Sequence, residues 1–181
     1  MPPAGTHLIF GYGSLMWRPG FAHIGRHLAE VRGWERRFWQ SSTDHRGVPG
    51  GPGRVVTLTE VPDGRCVGAV YEVGHERWAE VTRTLDLREQ NGYARVELEV
   101  WLEEETTPRR ATTYVAGPAN PHFLGPAPME EIAETIATAR GPSGRNREYF
   151  DELRRELGRE GIVEAHLEQI HTALQAVPAA D

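Results

Sequence analysis

The chain carries a single cysteine, Cys66, among its 181 residues. That excludes an intrachain disulfide and any metal centre built on clustered thiolates. Long apolar runs are missing as well. The hydrophobic stretches break within a few residues, far short of the roughly 20 needed to cross a bilayer. Met1 to Phe10 lack a basic start, and no long apolar segment follows, so no secretory signal is expected. Positive charge is also in deficit. A formal net charge of -6 argues against nucleic acid, whose phosphates call for a concentrated cationic face. The local pairs Arg36-Arg37 and Arg154-Arg155 are read as solvated or ion-paired surface. Together these absences predict a cytoplasmic protein with neither a nucleic-acid nor a membrane partner.

Several catalytic patterns are absent too. His23 and His27 stand four apart, but HExxH is missing and no paired carboxylate accompanies them, so the eight histidines are read as scattered surface residues rather than zinc ligands. Ser14 follows Gly13 without the GxSxG spacing of a nucleophile elbow. The Walker pattern does not occur. Gly11 and Gly13 suggest a dinucleotide fingerprint, but Met16 stands where the third glycine belongs and Pro19 follows.

What is present is a globular composition, 39% hydrophobic and 25% charged, in a length that fits one domain, residues 1–181. Strands are expected at His7 to Phe10, Trp34 to Gln40, Val55 to Thr59 and Val67 to Val73, all rich in β-branched and aromatic residues. His45 to Gly53, with four glycines and two prolines, reads as a loop. Val96, Leu98, Val100 and Leu102 alternate with Glu97, Glu99, Trp101 and Glu103, the pattern of a half-buried strand. Helical spacing marks Glu76 to Leu87, a segment from Pro128 through Ile132 and Ile136 to a stop at Gly141, and the face of Tyr149, Leu153 and Leu157. A last stripe, Val163, Leu167, Ile170, Leu174 and Val177, predicts an amphipathic helix packed on the body. The expected fold class is therefore α+β, on a mixed or antiparallel sheet that closes into a barrel or stays open.

Two segments stand out chemically. In Phe10-Gly-Tyr-Gly-Ser-Leu-Met-Trp17 a strand enters a glycine turn, which frees backbone N–H groups to face an anionic or carbonyl oxygen. A plain tight turn accounts for the same residues. In Leu85-Asp-Leu-Arg-Glu-Gln-Asn-Gly-Tyr93 a helix ends and a strand begins, and a carboxylate at such a junction can face a cleft. Ordinary polar cover at a helix end is the favoured reading of Asp86, Arg88 and Glu89. Composition alone settles neither segment.

Five stretches taken together narrow the choice. Phe10 to Trp17, Arg37-Phe-Trp-Gln-Ser-Ser-Thr-Asp-His-Arg-Gly-Val-Pro49, Pro52-Gly-Arg-Val-Val-Thr-Leu58, Arg88-Glu89 with Gly92-Tyr93, and Gly141-Pro-Ser-Gly-Arg-Asn146 with Tyr149 resemble, in order, the ChaC family of glutathione-specific γ-glutamylcyclotransferases. The likeness runs from about Leu8 to Leu174, with one departure at Gln90-Asn91, where members often carry Lys-Gly. The resemblance implies a small β-barrel flanked by helices. It also implies the conversion of glutathione to 5-oxoproline and Cys-Gly, with no cofactor and no metal. It carries the catalytic carboxylate onto Glu89, the γ-glutamyl-binding turn onto Tyr12, Gly13, Ser14 and Leu15, and a substrate-pocket tyrosine onto Tyr149. Oligomeric state is left open. The alternatives are the same chemistry on other γ-glutamyl peptides or amines, and a non-catalytic regulator of cation transport.

Overall fold

The computed structural model describes residues 5–103 and 105–178. The chain forms two compact units. One takes the residues up to Glu35 together with Leu58–Gly117; the other takes Arg36–Thr57 and the residues from Pro118 onward.

A five-stranded closed barrel is built from β1 (Thr6–Gly11), β2 (Gly25–Ser42), β3 (Gly53–Gly74), β4 (Ala94–Leu102) and β5 (Arg109–Val115), in the order β1-β3-β2-β4-β5. β1 lies antiparallel to β3, from Thr6 opposite Gly74 to Gly11 opposite Ala69. It closes the barrel on β5 through a parallel pairing of Ile9 with Thr112, so the sheet is mixed. Ile9, Phe10, Ala69, Val70, Tyr71 and Val100 are buried along these strands, as is Cys66, which is 0% exposed.

The Val55–Thr59 and Val67–Val73 segments are parts of one 22-residue strand. Pro62-Asp63-Gly64 does introduce a left-handed residue, Asp63 at φ 60, a conformation that aspartate tolerates. The strand continues through it all the same. Trp34–Gln40 likewise belongs to a longer strand, β2. β4 follows the alternation expected of it, with Val100 buried and Glu97 and Glu99 exposed. β5 has no such periodicity. Ala111 through Val115 are buried without interruption, and Thr113 satisfies its hydroxyl by donating to the Phe10 carbonyl at 2.8 Å. A strand buried on both faces shows no period of two.

The first unit also holds α1 (His75–Arg88). The second holds α2 (Met129–Thr138), α3 (Asn146–Arg159) and α4 (Ala165–Ala176), with a two-stranded ribbon of β6 (Arg140–Gly141) and β7 (Gly144–Arg145) between α2 and α3. α2 packs against both α3 and α4. Ile132, Ile136, Phe150, Leu153, Leu157, Leu167, Ile170 and Leu174 are buried among these helices. Pro128 serves as the N-cap of α2, which ends at Thr138 rather than running on to Gly141.

Three expectations need correction. Val163 lies before α4 and is 79% exposed, so the buried stripe begins at Leu167. Arg36 is not a surface cation: its side chain is buried and its Nη1 meets Glu164 Oε1 at 2.6 Å. His166 is buried too, with its Nε2 accepting the Phe38 N–H at 3.1 Å. Both reflect the same physics: residues 36–42 of β2, themselves part of the second unit, meet polar groups of that unit's own chain, and burial there demands a partner for each.

Candidate functional site

The site of the first unit starts from β1. Phe10 and Gly11 end the strand, and Ser14–Met16 form a single 3-10 turn. Gly11 is required at that corner, because a Cβ on it would fall 2.6 Å from the Leu15 Cβ. The ladder of the turn begins with the Met16 N–H donating to the Gly13 carbonyl at 2.9 Å. The N–H groups of Ser14 and Leu15 therefore fall ahead of it, with no partner within the turn.

The turn is fastened from beneath. Tyr12 is buried, and its hydroxyl donates to the Tyr114 carbonyl on β5 at 2.6 Å. The Tyr71 hydroxyl on β3 donates to the Leu15 carbonyl, also at 2.6 Å. Leu15 itself joins a core cluster with Ile9, Val73, Val81, Leu85 and Tyr114, a burial that contributes about 2 kcal/mol for a leucine. That cluster decides where α1 ends, since Leu85 belongs to its last turns. The Glu89 N–H then closes α1 on the Leu85 carbonyl at 2.9 Å. Packing of Leu15 and Leu85 in one cluster thus brings the glycine turn and the carboxylate to the same side of the unit.

Glu89 caps α1 at φ -101, ψ 34, outside the helical region. Gly92 follows at φ 88, a left-handed residue that turns the chain toward Tyr93 and β4 at little steric cost. The Glu89 carboxylate is 18% exposed and stands 3.5 Å from Arg88 Nε. The same guanidinium donates through Nη2 to Ser14 Oγ at 2.7 Å. Through Nη1 it donates to the carbonyls of Arg18 and Pro19 at 2.8 and 3.1 Å. Glu89 and Ser14 thus sit on one cation.

Below them, the Tyr114 hydroxyl donates to Asp86 Oδ1 at 2.7 Å. Burial, with Asp86 alongside, pushes that phenol far above its ordinary range, so it stays a protonated donor.

Tyr149 belongs to the second unit. It is buried in α3, with its hydroxyl accepting the Val56 N–H at 3.4 Å and the Arg46 guanidinium 5.8 Å from the ring centroid. The remaining motif stretches assemble around it. Asn146 Oδ1 accepts the Arg54 N–H at 2.7 Å and its Nδ2 donates to the Arg54 carbonyl at 2.8 Å. The Ser143 N–H donates to the His45 carbonyl at 2.9 Å. The five stretches therefore sort into two groups. Phe10–Trp17 and Arg88–Tyr93 build one locus, whereas residues 37–57 and 141–149 build another.

Sequence reasoning named Glu89 and the turn but read Arg88 as polar cover. Its one signal was adjacency to Glu89 in the Arg88-Glu89 stretch. Tyr71 and Tyr114 gave no signal, because a tyrosine in a buried strand reads as core.

Comparison with known proteins identifies relatives of this chain. The chain is 46% identical over 145 residues to "Glutathione-specific gamma-glutamylcyclotransferase 1" of Homo sapiens, a match covering 78% of this chain and 65% of that protein. The chain therefore spans a little under two thirds of the length of the human relative. It is 35% identical to "Glutathione-specific gamma-glutamylcyclotransferase" of Saccharomyces cerevisiae, covering 86% of this chain and 87% of that one. A crystal structure described as a γ-glutamylcyclotransferase specific to glutathione from yeast superposes with a TM-score of 0.86 at 31% identity, over 95% of this chain and 99% of the other. The family model described as ChaC-like protein matches residues 7–177, and with these matches the chain belongs to the ChaC-like family.

Proposed function

We propose that this chain is a glutathione-degrading γ-glutamylcyclotransferase, a lyase that releases 5-oxoproline and Cys-Gly. The observation that carries the reading is the shared guanidinium. Arg88 holds the Glu89 carboxylate at 3.5 Å and the Ser14 hydroxyl at 2.7 Å, so a proton carrier and a turn with free N–H groups serve one substrate. The names of the human and yeast relatives support glutathione as that substrate. The family match over residues 7–177 supports treating both units as one domain. The lone cysteine and the lack of long apolar runs support a cytoplasmic setting.

The chemistry asks little of the protein beyond placement. The α-amine of the γ-glutamyl group attacks its own γ-carbonyl, a C–N bond forms in a five-membered lactam, and the C–N bond to cysteine breaks. Both reacting groups belong to one molecule, so orientation supplies much of the acceleration. At neutral pH the amine is an ammonium and cannot attack. Glu89 accepts one proton from the ammonium and delivers it to the departing cysteine nitrogen, so a single carboxylate serves as base and then as acid. The second proton, lost as the attacking nitrogen becomes the lactam N–H, goes to the released amine. The Ser14 and Leu15 N–H groups receive an oxygen of the substrate, the γ-carbonyl as negative charge develops on it or the α-carboxylate. Tyr12 spends its hydroxyl on Tyr114 and so anchors the turn.

Glu89→Gln keeps shape and removes basicity. With reduced glutathione as substrate, 5-oxoproline release should fall about 100-fold or more, while the variant folds and still binds substrate. Turnover equal to wild type would remove Glu89 from the mechanism. Running the same assay with oxidised glutathione and γ-glutamyl dipeptides reads out substrate strictness.

A further inference from the structure

A basic residue in the last turn of a helix ordinarily serves its own helix, leaning on the final carbonyls where the macrodipole is negative. Arg88 ends α1, yet its hydrogen bonds run to another part of the chain, Ser14 Oγ and the carbonyls of Arg18 and Pro19. We infer that Arg88 is the positioning residue of this site, using one planar fork to set the Ser14 hydroxyl and the Glu89 carboxylate in fixed relation. The inference rests on the reading of Glu89 as proton carrier and extends it to the group that aims that carrier.

The geometry follows from the shape of a guanidinium, whose five N–H donors lie in one plane at fixed angles. Nη1 faces two successive carbonyls, at 2.8 and 3.1 Å, and these two bonds fix the orientation of the plane. Nη2 donates to Ser14 Oγ at 2.7 Å, and Nε forms an ion pair with Glu89 Oε1 at 3.5 Å. The Ser14 hydroxyl is held by a hydrogen bond and the Glu89 carboxylate by charge attraction to the same guanidinium. Arg88 and Glu89 are 24% and 18% exposed at their side chains, which limits competition from water.

The bond to Ser14 also settles what that hydroxyl offers. Accepting from a cation engages one lone pair of Oγ and leaves the hydroxyl proton as a donor. Ser14 is thereby set to donate toward an oxygen of the substrate, alongside its own N–H and that of Leu15. Nucleophilic attack by Ser14 would need the opposite arrangement, a base facing the hydroxyl proton.

The residues 18–19 carbonyls add a second consequence. They fix the segment that follows the glycine turn to the end of α1, and Gly20 there adopts φ 74. Arg88 thus joins the turn, the segment behind it and the carboxylate through one group. Lysine cannot reproduce this, because a single ammonium on a flexible stem carries charge but no fork.

The test is steady-state release of 5-oxoproline from reduced glutathione by wild type, Arg88→Lys, Arg88→Met and Glu89→Gln, with rates expressed per folded molecule by circular dichroism. A misaimed acid–base group costs about 100-fold. Arg88→Met should lower kcat by about that factor while KM changes less than about fivefold. Arg88→Lys should recover no more than about tenfold of the loss. If Arg88→Met does not fold, Arg88→Lys alone decides, with a reduced kcat at an unchanged thermal midpoint as the supporting result. Wild-type kcat in Arg88→Lys, or in Arg88→Met, overturns the inference. Glu89→Gln separates the two readings. If it loses turnover while the Arg88 variants keep theirs, only the role of Arg88 fails; if it keeps turnover, the proton-carrier reading fails first.

Discussion

The Phe38 N–H donates to His166 Nε2 at 3.1 Å, joining β2 to α4 across 128 positions of sequence. Only a neutral imidazole accepts at that nitrogen. Burial, with Arg37 and Arg54 nearby, lowers the His166 pKa from 6.5 to about 4.

The sign of the linkage follows. Above pH 6.5 the ring is neutral in folded and unfolded chains, and its contribution is intact. As pH falls from 6.5 toward 4, the unfolded chain takes up a proton that the folded one refuses, so stability declines. The full loss from this group is about 3 kcal/mol. Urea denaturation between pH 7 and pH 4 should show the decline, and His166→Gln should flatten it. Equal slopes in the two proteins would refute the assignment.

Arg36 and Glu164 form another buried polar link of the second unit, at 2.6 Å with the arginine side chain at 0% exposure. Replacing Glu164 by alanine removes the anion that offsets the burial of the guanidinium. The expected cost is about 3 kcal/mol. Arg36→Met combined with Glu164→Ala should cost less than the sum of the single changes, since the methionine needs no counter-charge. Additive costs in a denaturation cycle would show that the pair does not act as a unit.

Gly11→Ala tests the corner that sets the turn. The added methyl meets the Leu15 Cβ at 2.6 Å, closer than any relaxed contact, and Leu15 is packed in the core cluster. Strain of about 1–3 kcal/mol is expected, relieved by displacement of the 3-10 turn. A fall in thermal midpoint should therefore accompany at least a tenfold, order-of-magnitude loss in kcat/KM. Full activity in a destabilised variant would show that the turn tolerates displacement.

Legibility in the sequence followed the regularity of burial. β4 was plain because one face is wet and the other dry. β5 is silent because Ala111 to Val115 are buried continuously, and two of them are threonines, of which Thr113 donates its hydroxyl to the Phe10 carbonyl. The Tyr149, Leu153 and Leu157 face of α3 was readable at helical spacing. Val163 fitted the α4 stripe by count, yet it precedes the helix. At the site, Glu89 emerged only from the order of five stretches, since a carboxylate at a helix end looks like surface. The Arg88 contacts lie 69 to 74 positions away in sequence, and no local pattern encodes a partner at that separation.

Cys66, the chain's single thiol, lies at 0% exposure. A protein proposed to spend its working life among thiol tripeptides thus offers them no sulfur to exchange with. Mixed-disulfide formation requires an accessible thiolate, so oxidative stress has no cysteine handle on this molecule short of unfolding it. On the proposed function, oxidation reaches turnover through the redox form of the substrate or through methionine sulfur, not through a thiol of the folded chain.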